Sequence, residues 1–305
     1  GVQGIRIIHS NDDGWAEMYT RSFYDALVAS GHDVVLSAPA ENKSGSGTLS
    51  ITYVHHFITT DVLTSPGSLD LDPWPRLLPC QYNSCPANSG RTGRNESSTR
   101  LNWVNSFPVT SIRYGINEIA PQFWNGQLPE LAVTGPNVGS NIYLADHISG
   151  TVGAATYAAK TAKIPAIAFS VKSTGTLAWN TSPVPQRSLV YADLAANLTN
   201  AVIASGKPYL PEDVFLNVNF PEVSESCNSP EKFKWVLSRV NLGVFSGDDV
   251  EWCGSKRLPS ELEVIAKSGC YISVSVGDAN DKTTAPAEKQ ATVLQKLQHM
   301  LTCLP

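Results

Sequence analysis

Apolar residues recur along the chain in two alternating rhythms. A short run at 5–10 (IRIIHS) ends in the turn residues Asn11-Asp12-Asp13-Gly14, and Trp15, Met18, Tyr19, Phe23 and Leu27 then follow at helical spacing. Gly31 stops that helix, and 33–37 (DVVLS) predicts a second strand. Strand, tight turn, helix, strand is the opening of a parallel α/β sheet. The rhythm returns with a strand at 131–134, a small-residue helix at 151–162 (TVGAATYAAKTA), a strand at 166–170, a helix at 188–204 and a strand at 214–219 (VFLNVN). Beyond about 221, β-like segments at 234–240 and 271–276 precede a final helix near 285–302. The expected class is α/β, an open and mostly parallel sheet flanked by helices, with a C-terminal β/α extension.

Two stretches break the rhythm. Residues 38–50 (APAENKSGSGTLS) form a loop rich in glycine and serine after the second strand, and 60–100 dissolve into Pro, Ser, Asn and Gly around two cysteines. The second reads as a long surface insertion and not as a domain boundary. The expected organisation is a catalytic α/β domain over 1–220, carrying this insertion, and an extension over 221–305 that packs on the core or on a partner subunit.

Composition narrows the function classes. With 305 residues, 42% hydrophobic and 16% charged, the chain buries a sizeable core. A net charge of −5 and no Lys/Arg run argue against a stable nucleic-acid complex. No apolar run approaches the ~20 residues that span a bilayer, so no membrane partner is expected. Strand-like residues from Ile5 onward read as a processed mature chain. Six cysteines (Cys80, Cys85, Cys227, Cys253, Cys270, Cys303) and four sequons (Asn42, Asn95, Asn180, Asn197) point to a secreted, disulfide-bonded glycoprotein. Cys80 and Cys85 share one loop and are placed to close it; the other pairings stay open.

Candidate chemistry clusters after the strands. In an open parallel sheet, ligands bind beyond the carboxyl ends of the strands, so the loops at 11–14, 42–47 and 135–150 are expected to converge. Adjacent carboxylates Asp12 and Asp13 resist joint ionisation unless a cation lies beside them, and a hard, oxygen-seeking ion suits them. Each piece alone has a plainer reading: a helix cap and a turn at 11–14, a surface loop at Ser44-Gly45-Ser46-Gly47, turn chemistry around Asn137 and Asn141, and an N-cap at Ser149-Gly150-Thr151.

Taken in order, these segments resemble a known family. Ser10-Asn11-Asp12-Asp13-Gly14, Ala38-Pro39 with Ser44-Gly45, Gly135-x-Asn137-x-Gly139-x-Asn141, Ser149-Gly150-Thr151-Val152-Gly153-Ala154-Ala155, Ile164-Pro165-Ala166-Ile167-Ala168 and Leu216-Asn217-Val218-Asn219 together resemble the SurE (stationary-phase survival protein) family of nucleotidases and acid phosphatases. The resemblance runs from about residue 4 to 220, outside the insertion. It implies a Rossmann-like domain and metal-dependent hydrolysis of phosphomonoesters, typically nucleoside monophosphates. By motif, Asp12, Asp13, Ser44 and Asn137 would be metal ligands for Mg or Mn first, with Ca as the further option. Asn11, Ser44, Gly45, Asn141, Ser149, Gly150 and Thr151 would surround the phosphate. Asp12 or Asp13 would take the proton of the attacking water. The Asn42 sequon overlaps the metal loop and is expected to be unglycosylated. Family members commonly dimerise through a C-terminal extension, which makes a homodimer the implied assembly.

This sequence departs from the family pattern at Tyr143 and Ala145, where Gly and Asp are usual, and has only a loose Ser106–Ile112 (SFPVTSI) for the usual GTPADC stretch. These changes bear on substrate preference more than on the metal. His9 and His147 are candidate proton donors, each with a structural role weighed above it. The alternatives are a phosphatase with an aspartyl nucleophile, which two Asp pointing apart along an extended chain would disfavour, and a non-catalytic metal-bound extracellular module.

Overall fold

A computed structural model of the chain describes residues 4–44, 71–142, 145, 147, 149–173, 175–243 and 246–305. The first run forms β1 (Arg6–Ser10), followed by α1 (Met18–Ala29) and β2 (Asp33–Pro39). Next come β3 (Thr92–Asn95), β4 (Ser98–Val104), α2 (Pro108–Tyr114), β5 (Leu131–Val138), α3 (Gly150–Thr156), β6 (Ala166–Val171) and α4 (Gln186–Ala204). The chain ends with β7 (Val214–Phe220), β8 (Lys234–Ser238), α5 (Glu261–Ala266), β9 (Tyr271–Asp278) and α6 (Ala287–Leu297).

All nine strands join one sheet in the order β3-β4-β2-β1-β5-β6-β7-β9-β8. Strands β4, β2, β1, β5, β6 and β7 run parallel; β3 and β9 close the two sides antiparallel, and β8 lies parallel to β9. Successive residues of β1 and β2 face opposite layers. Ile7 and Val34 enter a core shared with Tyr19, Phe23 and Leu27 of α1, whereas Ile8 and Val35 enter one shared with Ile112 of α2 and Val152 of α3. Buried on both faces, these strands read as unbroken apolar runs, as parallel strands do.

The connections run one way from β1 to β2 and β4, then the other way through β5, β6 and β7. The switch point therefore lies between the carboxyl ends of β1 and β5, where open α/β sheets bind ligands.

Part of the stretch read as an insertion is regular. Residues 92–104 form the β3–β4 hairpin, and β4 pairs with β2 from Leu36↔Leu101 to Pro39↔Val104. The hairpin hides from pattern reading because only Leu101, Trp103 and Val104 are buried apolar residues. Its turn is held by Asn95 Oδ1, which accepts from the N–H groups of Ser97 and Ser98. Residues 221–305 pack on their own chain, since β9 pairs with β7 from Val214↔Asp278 to Asn219↔Ser273. Disulfides Cys227–Cys270 and Cys253–Cys303 pin this part, and Cys80–Cys85 closes its loop locally as expected.

Candidate active site

The site starts at the end of β1. Gly14, at φ +100°, turns the chain out of the strand, a conformation that costs glycine little. The turn is locked by Asn11, whose Oδ1 accepts from Asp12 N at 2.9 Å and from Thr151 Oγ1 at 3.4 Å, while its Nδ2 donates to Thr20 Oγ1. Asp12 and Asp13 are both buried, at 3% and 1% exposure.

The turn brings the two carboxylates together. Ser44 Oγ lies 2.6 Å from Asp13 Oδ1 and 3.5 Å from Asp12 Oδ1, so one hydroxyl faces both. Asp13 Oδ2 accepts from Val138 N of β5 at 2.7 Å, and Lys43 N donates to Asp12 O at 2.6 Å. The extended-chain geometry expected to point the carboxylates apart does not apply within this turn.

Burial raises the proton affinity of both. Asp12 is raised by burial and held down by the hydroxyl and amide of Thr151 and the amide of Gly150. Asp13 is raised well above the usual carboxylate range by burial, then by Asp12 and by Glu17. Glu17, fully buried, is itself pushed up to about 7 by burial, although it accepts from Tyr19 N, Thr20 N and Leu177 N. Three carboxylates in one dry turn form a strongly cation-seeking site.

The fourth member of the expected ligand set fits. Asn137 donates Nδ2 to Gly139 O at 2.7 Å, which fixes the amide, and its carbonyl Oδ1 is buried with no hydrogen-bond partner. A buried acceptor is ordinarily satisfied. Two carboxylates, a hydroxyl and an amide carbonyl are all hard oxygen donors, the chemistry of a Mg²⁺, Mn²⁺ or Ca²⁺ site.

Of the residues expected around the phosphate, Ser149 caps α3 by accepting from Val152 N at 3.2 Å. Gly150 and Thr151 follow beneath Asp12. A Cβ on Gly150 would stand 2.9 Å from Asp12 Cβ and 2.6 Å from Pro108 Cγ, so the close approach requires glycine. Asn141 acts as a strut: its side chain donates to Ser170 Oγ, its N–H to Asn219 Oδ1, and its carbonyl accepts from Asn217 and Asn219. Gly45 lies outside the described residues, as does Tyr143.

His9 is a packing residue. Its Nε2 is 2.6 Å from Gly135 O, its ring meets Phe23 edge-on at 5.0 Å, and burial pushes its pKa down to about 4. His147 is exposed and lines a cavity of about 390 Å³ along α3, a separate space from the carboxylate turn.

Sequence reading missed three contributors. Glu17 is α1's N-cap, a role Glu seldom fills; its only sequence signal is the spacing of four residues after Asp13. Val138 contributes a backbone N–H, which no side-chain pattern announces. Gln81, inside the Cys80–Cys85 loop, bonds Ala40 O through its N–H, and its side-chain carbonyl packs where a Cβ on Gly14 would stand.

The family model described as Survival protein SurE matches residues 7–236. The chain belongs to the SurE family. An acid phosphatase of Yarrowia lipolytica is 29% identical over 299 residues, covering 88% of this chain and 78% of the relative. A 5′-nucleotidase SurE of Lawsonia intracellularis is 26% identical over 220 residues, covering 72% of this chain and 67% of the relative. The solved SurE protein from Aquifex aeolicus superposes with a TM-score of 0.57 at 19% identity, covering 96% of this chain and 99% of the other. That likeness bears out the SurE-type, Rossmann-like α/β fold.

Proposed function

We propose that this chain is a metal-dependent phosphomonoester hydrolase, acting on nucleoside monophosphates or related small phosphate esters at the Asp12–Asp13 turn. The observation that carries the reading is the convergence of two buried carboxylates on Ser44, with the buried carbonyl of Asn137, one residue before the Val138 that bonds Asp13, left unpartnered, in a chain of the SurE family. Relatives named acid phosphatase and 5′-nucleotidase support the reaction class.

Asp12, Asp13, Ser44 and Asn137 would hold a divalent cation, Mg or Mn ahead of Ca, which when bound supplies Lewis-acid chemistry at the phosphoryl group. Asp12 or Asp13 takes the proton of the water that attacks phosphorus in line with the leaving oxygen. By the family pattern, Ser44, Gly45, Ser149, Gly150 and Thr151 would surround the phosphoryl oxygens, where negative charge is carried, while the amides of Gly150 and Thr151 also bond Asp12. Asn11 holds the turn and Asn141 braces the neighbouring loop, so both act by position. Three disulfides support secretion as the protein's setting, and a homodimer through 221–305 is the assembly the family suggests.

The test is turnover of a chromogenic phosphomonoester with Mg²⁺ or Mn²⁺ and then with chelator. Metal-dependent release of phosphate is expected, and no turnover with any divalent ion would sink the reading in favour of a binding module. Because the carboxylates converge, an aspartyl nucleophile is tested directly by acid-trapping. Recovery of a phosphorylated Asp would replace the attacking water with a covalent route.

A further inference from the structure

A second cavity opens on the same edge of the sheet as the carboxylate turn. It measures about 320 Å³ and is lined by Lys172, Ser173, Arg187, Tyr191, Glu222 and Val223. Its position follows from topology. Lys172 and Ser173 come directly after β6, Glu222 and Val223 come just after β7, and Arg187 and Tyr191 stand on the first two turns of α4. The carboxyl ends of β1 and β6 are separated by β5 alone, two strand spacings or roughly 10 Å.

Bonded contacts connect the two places. Val138 N reaches Asp13, and the next residue's N–H, on Gly139, bonds Val171 O, immediately before Lys172. On the α1 side, Tyr19 OH lies 3.0 Å from Ser173 Oγ and accepts from Arg187 Nε at 2.7 Å. Tyr19 belongs to the helix that leaves the Asp12–Asp13 turn.

The chemistry of the cavity is cationic and hydroxylic. Arg187 spends Nε on Tyr19, and its terminal nitrogens have no protein acceptor among the described residues. Among those residues, Lys172 and Arg187 form no ion pair with Glu222, the one carboxylate on the lining. Tyr191 is held in place by its hydroxyl, which donates to Pro221 O at 3.1 Å and accepts from Val223 N at 3.0 Å. Two exposed cations, Arg187 tethered through Nε to Tyr19 and Lys172, flank the buried Tyr191 on an acidic protein and form a local anion receptor.

We propose that this cavity is a second subsite of the active crevice, where Lys172 and Arg187 bind a second phosphate carried by the leaving group. The inference rests on the phosphomonoester reading above and adds a substrate class: phosphomonoesters whose leaving group ends in another phosphate about 10 Å from the scissile one. Glu222 lowers the affinity of the subsite by like-charge repulsion.

The experiment compares 1,6-hexanediol monophosphate with 1,6-hexanediol bisphosphate, which share a leaving-group chain and differ in the second phosphate. For the wild-type chain with Mg²⁺, kcat/KM for the bisphosphate is expected to exceed that for the monophosphate by about tenfold beyond the statistical factor of its two equivalent ends, the scale of one charge-assisted contact. Arg187→Gln and Lys172→Gln each reduce that ratio and leave the monophosphate's kcat/KM unchanged, while Glu222→Gln raises it. Equal kcat/KM for the two compounds after the statistical correction, or a ratio the variants do not move, overturns the subsite and leaves the phosphomonoester reading standing. No turnover of either compound with any divalent ion overturns that reading and the subsite with it.

Discussion

Two regions of this protein bury acidic side chains, and they resolve the charge in opposite ways. In the C-terminal region, Asp249 is 5% exposed and lies 3.6 Å from Arg239, itself 1% exposed. Asp249 also accepts from Leu258 N and Gln290 Nε2, so both its oxygens have partners of favourable sign or polarity. At the end of β1, Asp12 and Asp13 are as deeply buried, and burial raises the proton affinity of both; Asp12 and Glu17 raise that of Asp13 further, with only neutral donors opposing. A buried carboxylate with a built-in guanidinium is architecture. A pair of buried carboxylates facing more negative charge is held for something that arrives, and Asn137, the residue before the Val138 that donates its N–H to Asp13, keeps its buried carbonyl unpartnered.

The largest expected effect separates the two regions by activity. Asp12→Asn should lower phosphomonoesterase turnover by at least about a hundredfold, the scale of losing one group that stabilises developing charge. Asp249→Asn should leave turnover unchanged. Wild-type activity in Asp12→Asn would remove the turn from the reaction.

Stability should separate them in the reverse sense. Asp249→Ala leaves Arg239 buried without its partner and should cost about 3–5 kcal/mol in denaturant unfolding. In chelator, Asp13→Asn removes like-charge repulsion, so its stability should equal or exceed that of the wild-type chain. A loss as large as that of Asp249→Ala would mean that the two clusters are alike.

Next in size is the pH dependence around the turn, read as the difference between variant and wild type. Glu17 is raised from 4.5 to about 7 in the folded chain. The folded state therefore binds this proton more tightly than the unfolded one, and its ionisation costs stability as pH rises from 4.5 to 7. Glu17→Gln should gain on wild type across that window by on the order of 3 kcal/mol, and stay level above it. His9 is lowered from 6.5 to about 4, so the unfolded chain takes up its proton first and stability falls as pH drops from 6.5 to 4. His9→Asn should gain on wild type in that acid window. Chemical denaturation at several pH values tests both, and a variant-minus-wild-type difference that does not change with pH would show the group to be solvated.

The smallest expected effect is the thermal shift on adding Mn²⁺ or Mg²⁺. Saturation at a hundred times Kd stabilises the folded state by about 2.7 kcal/mol. The shift should survive Asp249→Asn and vanish in Asp13→Asn. A shift retained by Asp13→Asn would place the cation elsewhere.

The parts of the molecule legible in its sequence are those where one residue's neighbours along the chain set its role. The β1–α1–β2 opening was readable because apolar spacing changes at Asn11–Gly14, and the α4 and β7 ranges fall within two residues of the expected ones. The β3–β4 hairpin was not readable, because an edge hairpin with one modest apolar face carries no strong alternation. Asp12, Asp13, Ser44 and Asn137 were legible as an ordered set through family resemblance. Glu17 was not, since its importance comes from facing Asp13 in a dry turn.

The sequence alone determined the β1–α1–β2 opening and the later alternation from β5 through β7, the polar composition of the loops after the strands, and the local Cys80–Cys85 closure. Only the tertiary structure decided that Asp13 meets Ser44 from 31 residues away and Val138 from 125. It also decided that 221–305 completes the same sheet, and that a cationic cavity shares the sheet edge with the carboxylates. The physical reason is one of range. Backbone preference and hydrophobic period act over a few residues, whereas the charge state of a buried carboxylate depends on which distant groups the sheet order brings within a few ångströms.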